Sequence, residues 1–72
     1  MDNNTTFKKG IQFLKSEQYE KAVNVFTKLI DAGNNNARIY SERGVTYFHL
    51  KRFDLAIDDM DTAVNLEPTN GY

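Results

Sequence analysis

Residues 40–68 read YSERGVTYFHLKRFDLAIDDMDTAVNLEP, and the fold is decided within them. Tyr40, Gly44 and Tyr47 fall at i, i+4 and i+7, one stripe of a helix in which a residue without a side chain lies between two large ones. A partner helix can approach closely at Gly44. Phe53, Ala56, Ile57, Met60, Ala63 and Val64 form a second stripe of the same period, and Pro68 stops the chain just beyond Leu66. The stretch therefore predicts two short helices folded into a hairpin.

Sliding the sequence against itself by 34 residues shows the hairpin twice. Gly10 meets Gly44, Ala22 meets Ala56 and Asn36 meets Asn70. Phe13/Tyr47, Tyr19/Phe53, Val23/Ile57, Phe26/Met60 and Ile30/Val64 exchange like for like at the apolar positions, as a repeated packing unit requires. The second unit, Tyr40-x2-Arg43-Gly44-x2-Tyr47 followed by Ala56-x3-Met60 and Pro68, resembles the tetratricopeptide repeat, whose period is 34 residues. The first, Thr6-x2-Lys9-Gly10-x2-Phe13 followed by Ala22-x3-Phe26, is a weaker match. It has Thr6 in place of a large aromatic and Asn34 in place of the proline, so its exit turn is expected to rely on Gly33 as a left-handed C-cap. In unit two Arg43 and Met60 replace an apolar and an aromatic residue, the arginine stem covering apolar surface and the methionine filling a gap.

The expected architecture is all-α, a right-handed α-α superhelix of two helix-turn-helix units in one domain, residues 1–72: repeat one 3–36, repeat two 37–70, with 71–72 beginning a third unit or a tail. The first helix should start after an Asn4 or Thr5 cap and run to about Ser16; the others should span about Tyr19–Asp31, Ala37–Leu50 and Phe53–Leu66. A chain of 72 residues buries only about 60% of its extended surface, so the core should be thin.

Bulk properties narrow the function. A net charge of −1 lacks the basic face of a sequence-independent nucleic-acid binder. With no cysteine there are no disulfides or thiolate zinc sites. No signal-peptide pattern and no long apolar run is visible, so a cytoplasmic protein is the default expectation. Charge divides between the units: five lysines against three carboxylates leave unit one at +2, four basic against six acidic side chains leave unit two at −2, and Asp2 carries the remaining −1.

Catalysis finds no constellation. His49, the only histidine, has no assignable nucleophile and orienting acid, and suits a helix C-terminus. Asp54, Asp58 and Asp61 share one helical face but lack the loop ligands and glycine of a calcium site, so a solvated outer face is the simpler account. The glycines fit no phosphate-cradling loop. No catalytic residue, metal or cofactor is expected.

The resemblance supplies the site expectations. In tetratricopeptide proteins the inner positions of each unit's first helix line a concave surface that grips extended or helical peptides. Carried over, the groove is Asn4, Phe7, Lys8, Ile11, Leu14 and Lys15 with Arg38, Ser41, Glu42, Val45, Phe48 and His49. The competing account is that Phe7, Ile11, Leu14 and Phe48 simply pack between units. Some relatives clamp a chaperone tail's C-terminal carboxylate, but Phe7, Ile11 and Glu42 hold those positions here and a third unit is missing. The basic edge of Lys8, Lys15 and Arg38 suits an amphipathic segment with acidic flanks. The implied function is a non-catalytic protein-interaction module, either alone or at the front of a larger multi-repeat or enzyme-fused scaffold. Ile57, Met60 and Val64 have no fifth helix to cover them, which adds the expectation of a homodimer through the fourth helix.

Overall fold

A computed structural model describes residues 3–67, which fold into four helices: α1 (Asn3–Lys15), α2 (Tyr19–Asp31), α3 (Ala37–His49) and α4 (Phe53–Leu66). No strand occurs among the described residues. The helices pair as hairpins, α1 with α2 and α3 with α4, and α3 lies against α2 to stack one hairpin on the other. The expected spans hold within a residue or two. The difference is at the start, where α1 begins at Asn3, so that Asn4 and Thr5 lie inside its first turn and do not cap it. The expected stop at Pro68 and the third-unit reading of Thr69–Tyr72 lie outside the described residues.

The two hairpins turn in the same way, bond for bond. Gln18 N–H reaches Phe13 C=O at 2.8 Å and Arg52 N–H reaches Tyr47 C=O at 2.9 Å, each five residues back. Glu17 and Lys51, one repeat apart, take the left-handed conformation between them, with φ of 64° and 62°. This is a Schellman ending built without glycine. Gly33, with φ of 99°, ends α2 in the same pattern, as Asn34 N–H bonds Leu29 C=O. Asn34 Nδ2 donates to that same carbonyl at 2.8 Å, so the asparagine standing in place of the family proline ties off the helix end by hydrogen bonding. Asn36 then caps α3, its side chain accepting from Arg38 N–H at 2.7 Å.

The core sits where α2 meets α1 and α3. Ala22, Phe26, Leu29 and Ile39 are buried, and Phe7, Ile11, Phe13, Leu14, Val25 and Ile30 pack around them half-buried. Phe26 is fully enclosed and explains Gly10: a Cβ there would stand 2.5 Å from its ring. At Gly44 the same atom would meet the Met60 methyl at 3.1 Å, a looser fit against a more flexible side chain. Ala22 and Ala56 lie buried at the close approaches, whereas Ala63 is only half-buried where it lines the open side of α4.

Arg43 adds a polar seam that the sequence did not disclose. Its Nε and Nη2 donate to the two carboxylate oxygens of Asp59 at 2.8 and 2.9 Å, and Nη1 donates to Thr27 Oγ1 at 3.1 Å. One guanidinium thus joins α2, α3 and α4. The flanking rings of Tyr40 and Tyr47 lie 5.7 and 5.5 Å from it, so the charged head, which pairs with Asp59, also packs on these rings. The hydrogen bond to Asp59 outweighs desolvation and pushes the Arg43 pKa above its ordinary value, so the pair is not lost by arginine deprotonation at any ordinary pH.

Candidate protein-interaction face

The two apolar lines expected on the first helices meet different fates. On α1, Phe7 lies against Phe26 with ring centroids 5.8 Å apart, and Ile11 and Leu14 pack on the core, so they offer only their outer edges. Their counterparts on α3, Ser41, Val45 and Phe48, face the open end of the stack. Phe48 is 60% exposed. The reason is the repeat itself: α3 fills the furrow between α1 and α2, and no element among the described residues fills the equivalent furrow between α3 and α4.

That furrow is lined from both sides. A cavity of about 550 Å³ is bounded by Ala37, Arg38, Ser41, Met60, Ala63, Val64 and Glu67. A second, of about 380 Å³, continues past Met60 with Gly44, Val45, Phe48, Ala56, Ile57 and Asp61. Arg38, Ser41, Val45 and Phe48 of the expected groove therefore border the same furrow as Ile57, Met60 and Val64, while Glu42 and His49 line neither cavity. Ile57 is 58% and Val64 63% exposed, where their unit-one counterparts are 7% exposed at Val23 and half-buried at Ile30.

The remaining expected groove residues lie along the edges. Asn4, Phe7 and Arg38 border a separate cavity of about 390 Å³ with Asn34, Asn36 and Ile39. The Arg38 guanidinium stands 5.5 Å from the Phe7 ring centre and Nε bonds Glu42 at 3.0 Å, so one cation bridges the two units along this edge. Lys8 and Lys15 are exposed on α1. His49 stacks flat on Tyr19 with centroids 4.8 Å apart, a packing role between the hairpins.

Sequence reasoning missed the Arg43–Asp59 pair. The signal lay in the comparison of units: Asp59 stands where unit one has the apolar Val25, and Arg43 where it has Lys9. A carboxylate at a core position calls for a cation within reach. Among the described residues no group of three or more His, Cys, Asp or Glu side chains is arranged to hold a metal ion, and Asp54, Asp58 and Asp61 do not converge. No helix among the described residues is long and apolar enough to cross a membrane.

The tetratricopeptide-repeat family model matches residues 37–70. The chain is 36% identical over 62 residues to the translocon at the outer membrane of chloroplasts 64 of Pisum sativum, a match spanning 86% of this chain and 10% of that protein. It is 31% identical over 65 residues to the small glutamine-rich tetratricopeptide repeat-containing protein 2 of Saccharomyces cerevisiae, 88% of this chain and 19% of that protein. A DnaJ homolog subfamily C member 7 homolog of Dictyostelium discoideum is 31% identical over 68 residues, 89% of this chain and 13% of that protein. The chain thus spans less than a fifth of each relative's length. No solved structure matches it. By the repeat pattern of its second hairpin, the matching family model and these relatives, the chain belongs to the tetratricopeptide-repeat family.

Proposed function

We propose that the chain is a non-catalytic, cytoplasmic protein-interaction module that holds a peptide or partner-protein segment in a concave groove. The observation that carries this reading is the exposure of Phe48, beside Val45, on an apolar strip that no element among the described residues covers. Large apolar patches on small monomers mark interaction sites. The groove takes Asn4, Phe7, Lys8, Ile11, Leu14 and Lys15 with Arg38, Ser41, Glu42, Val45, Phe48 and His49, and its exposed cations Lys8, Lys15 and Arg38 favour an amphipathic segment with acidic flanks. No cofactor is needed.

The test is fluorescence anisotropy with amphipathic peptides carrying acidic flanks, with helicity checked by circular dichroism. Val45→Glu and Phe48→Ala should each weaken binding about tenfold or more with helicity retained. Asp58→Ala, on the exposed outer side of α4, should change neither. Loss of binding in Asp58→Ala with full binding in the two groove variants would move the site to the outer face.

The exposed Ile57 and Val64 favour a second reading, self-association through α4. Light scattering across a dilution series should then show more than one chain, and Val64→Lys should reduce the mass to one. A single-chain mass at every concentration, unchanged by Val64→Lys, would rule self-association out. A third reading makes this chain the N-terminal part of a larger multi-repeat or enzyme-fused scaffold, consistent with the small share of each relative that it spans. The length of the transcript that encodes it decides that.

A further inference from the structure

The seam between the two hairpins is a template for what the open furrow accepts. Four contacts of that seam have counterparts on the furrow. Ile39, 5% exposed, closes over Ala22, Phe26 and Leu29. Arg43 Nη1 donates to Thr27 Oγ1 at 3.1 Å, Arg52 Nη2 donates to Glu20 Oε2 at 2.8 Å, and His49 stacks on Tyr19. Moving the receiving residues forward by one repeat replaces Ala22, Phe26 and Leu29 with Ala56, Met60 and Ala63, Thr27 with Asp61, Glu20 with Asp54, and Tyr19 with Phe53.

All but one of these replacements keep or strengthen the chemistry of the seam; Ala63 in place of Leu29 gives up a large apolar contact. Ala56 and Met60 keep a small and a large apolar residue, the aromatic platform remains at Phe53, and the carboxylate remains at Asp54. At Asp61 a neutral hydroxyl has become a carboxylate, so a cation arriving there would make an ion pair where Arg43 makes only a hydrogen bond. Asp61 lines the α3–α4 cavity, and Phe53 is 49% exposed.

We propose that the furrow between α3 and α4 docks a basic amphipathic helix from a partner protein. Its register is that of α3 and the turn that ends it: an aliphatic residue over Met60 and Ala63, Arg or Lys four residues later at Asp61, an aromatic or imidazole ring six further on at Phe53, and, in the turn after the helix, a second Arg or Lys three beyond that at Asp54. A second copy fits this register less well. Its α1 would bring Thr5 where Ile39 fills the core, and an antiparallel two-fold pairing of α4 about its middle would set the carboxylates Asp54, Asp61 and Glu67 of one copy against those of the other. The surface shares Val45 and Phe48 with the groove proposed above, but acidic side chains select its occupant, whereas Lys8, Lys15 and Arg38 select the groove's.

The probe is a capped synthetic peptide of the sequence of residues 37–52, fluorescently labelled and titrated with the 72-residue chain. Saturable binding is expected, weakening as salt rises. The double charge reversal Asp54→Lys/Asp61→Lys should lower affinity by about tenfold or more with helicity unchanged, since both side chains are exposed. A peptide carrying Arg43→Glu and Arg52→Glu should not bind the unaltered chain. Lys8→Glu/Lys15→Glu should leave binding of the unaltered peptide intact, which separates this surface from the basic-edged groove. Three results would overturn the proposal: no saturable binding, binding indifferent to the double reversal, in which case the peptide has displaced the chain's own α3, and a chain dimer that excess peptide fails to dissociate, in which case a second copy occupies the furrow.

Discussion

Single side chains at two pairs of equivalent positions decide how tightly the hairpins close. Gly10→Ala gains about 1 kcal/mol of helix propensity but drives a methyl into the Phe26 ring, and overpacking of this kind costs about 1–3 kcal/mol. We expect a net loss, read as a lower midpoint in urea. Gly44→Leu cannot be absorbed by the Met60 methyl alone, because Ala56 O and Asp59 Cβ both lie 3.3 Å from the added Cβ, and it should largely unfold the domain. Lys51→Gly should do the reverse. Lysine at φ 62° carries about 1–2 kcal/mol of left-handed strain that glycine lacks, partly offset by glycine's greater freedom when unfolded, so a gain of about 0.5–1 kcal/mol and a melting point a few degrees higher are expected. The small-against-large pairing at Gly10 and Gly44 was legible in the sequence because both fall on an apolar stripe. The left-handed turns at Glu17 and Lys51 were not, unlike that at Gly33, because neither glutamate nor lysine announces a positive φ.

Whole helices were the most legible level, and for a physical reason: each carries an apolar stripe of period 3.6, and the second pair repeats the first at 34 residues. What holds the helices to one another was legible only in its apolar part. Arg43 and Asp59 lie on different helices, and the sequence supplies no local spacing that links them. The consequence of that pair can be measured. Asp59 is 4% exposed, so Asp59→Ala leaves a mostly buried guanidinium without its carboxylate, a change that costs about 3–5 kcal/mol when one partner of a buried pair is removed. A core of this size supplies about that much in total, so circular dichroism should show the variant largely unfolded at 25 °C. Asn36→Ala removes only the α3 cap and should lower stability by about 1 kcal/mol. A native-like urea midpoint for Asp59→Ala would show that the three-helix junction does not depend on this pair.

At the scale of the molecule, the two hairpins are unequal partners in one stack. The first is +2 and has its furrow filled by α3; the second is −2 and has a furrow that no element among the described residues fills, with Val45, Phe48, Ile57, Met60 and Val64 along it. The sequence disclosed those apolar residues but divided them between a groove and a self-association patch. Period alone cannot say that one side of α3 and one side of α4 face the same space; that follows only once α3 is seen in the unit-one furrow. The furrow's role as a docking surface is tested most directly by amide chemical-shift mapping of the labelled chain as the peptide of residues 37–52 is added. The largest shifts should fall at Val45, Phe48, Ile57, Met60 and Val64, with the amides of α1 unmoved. Shifts concentrated on the exposed outer positions Lys21, Asn24, Lys28 and Asp58, or none at all at saturating peptide, would contradict it.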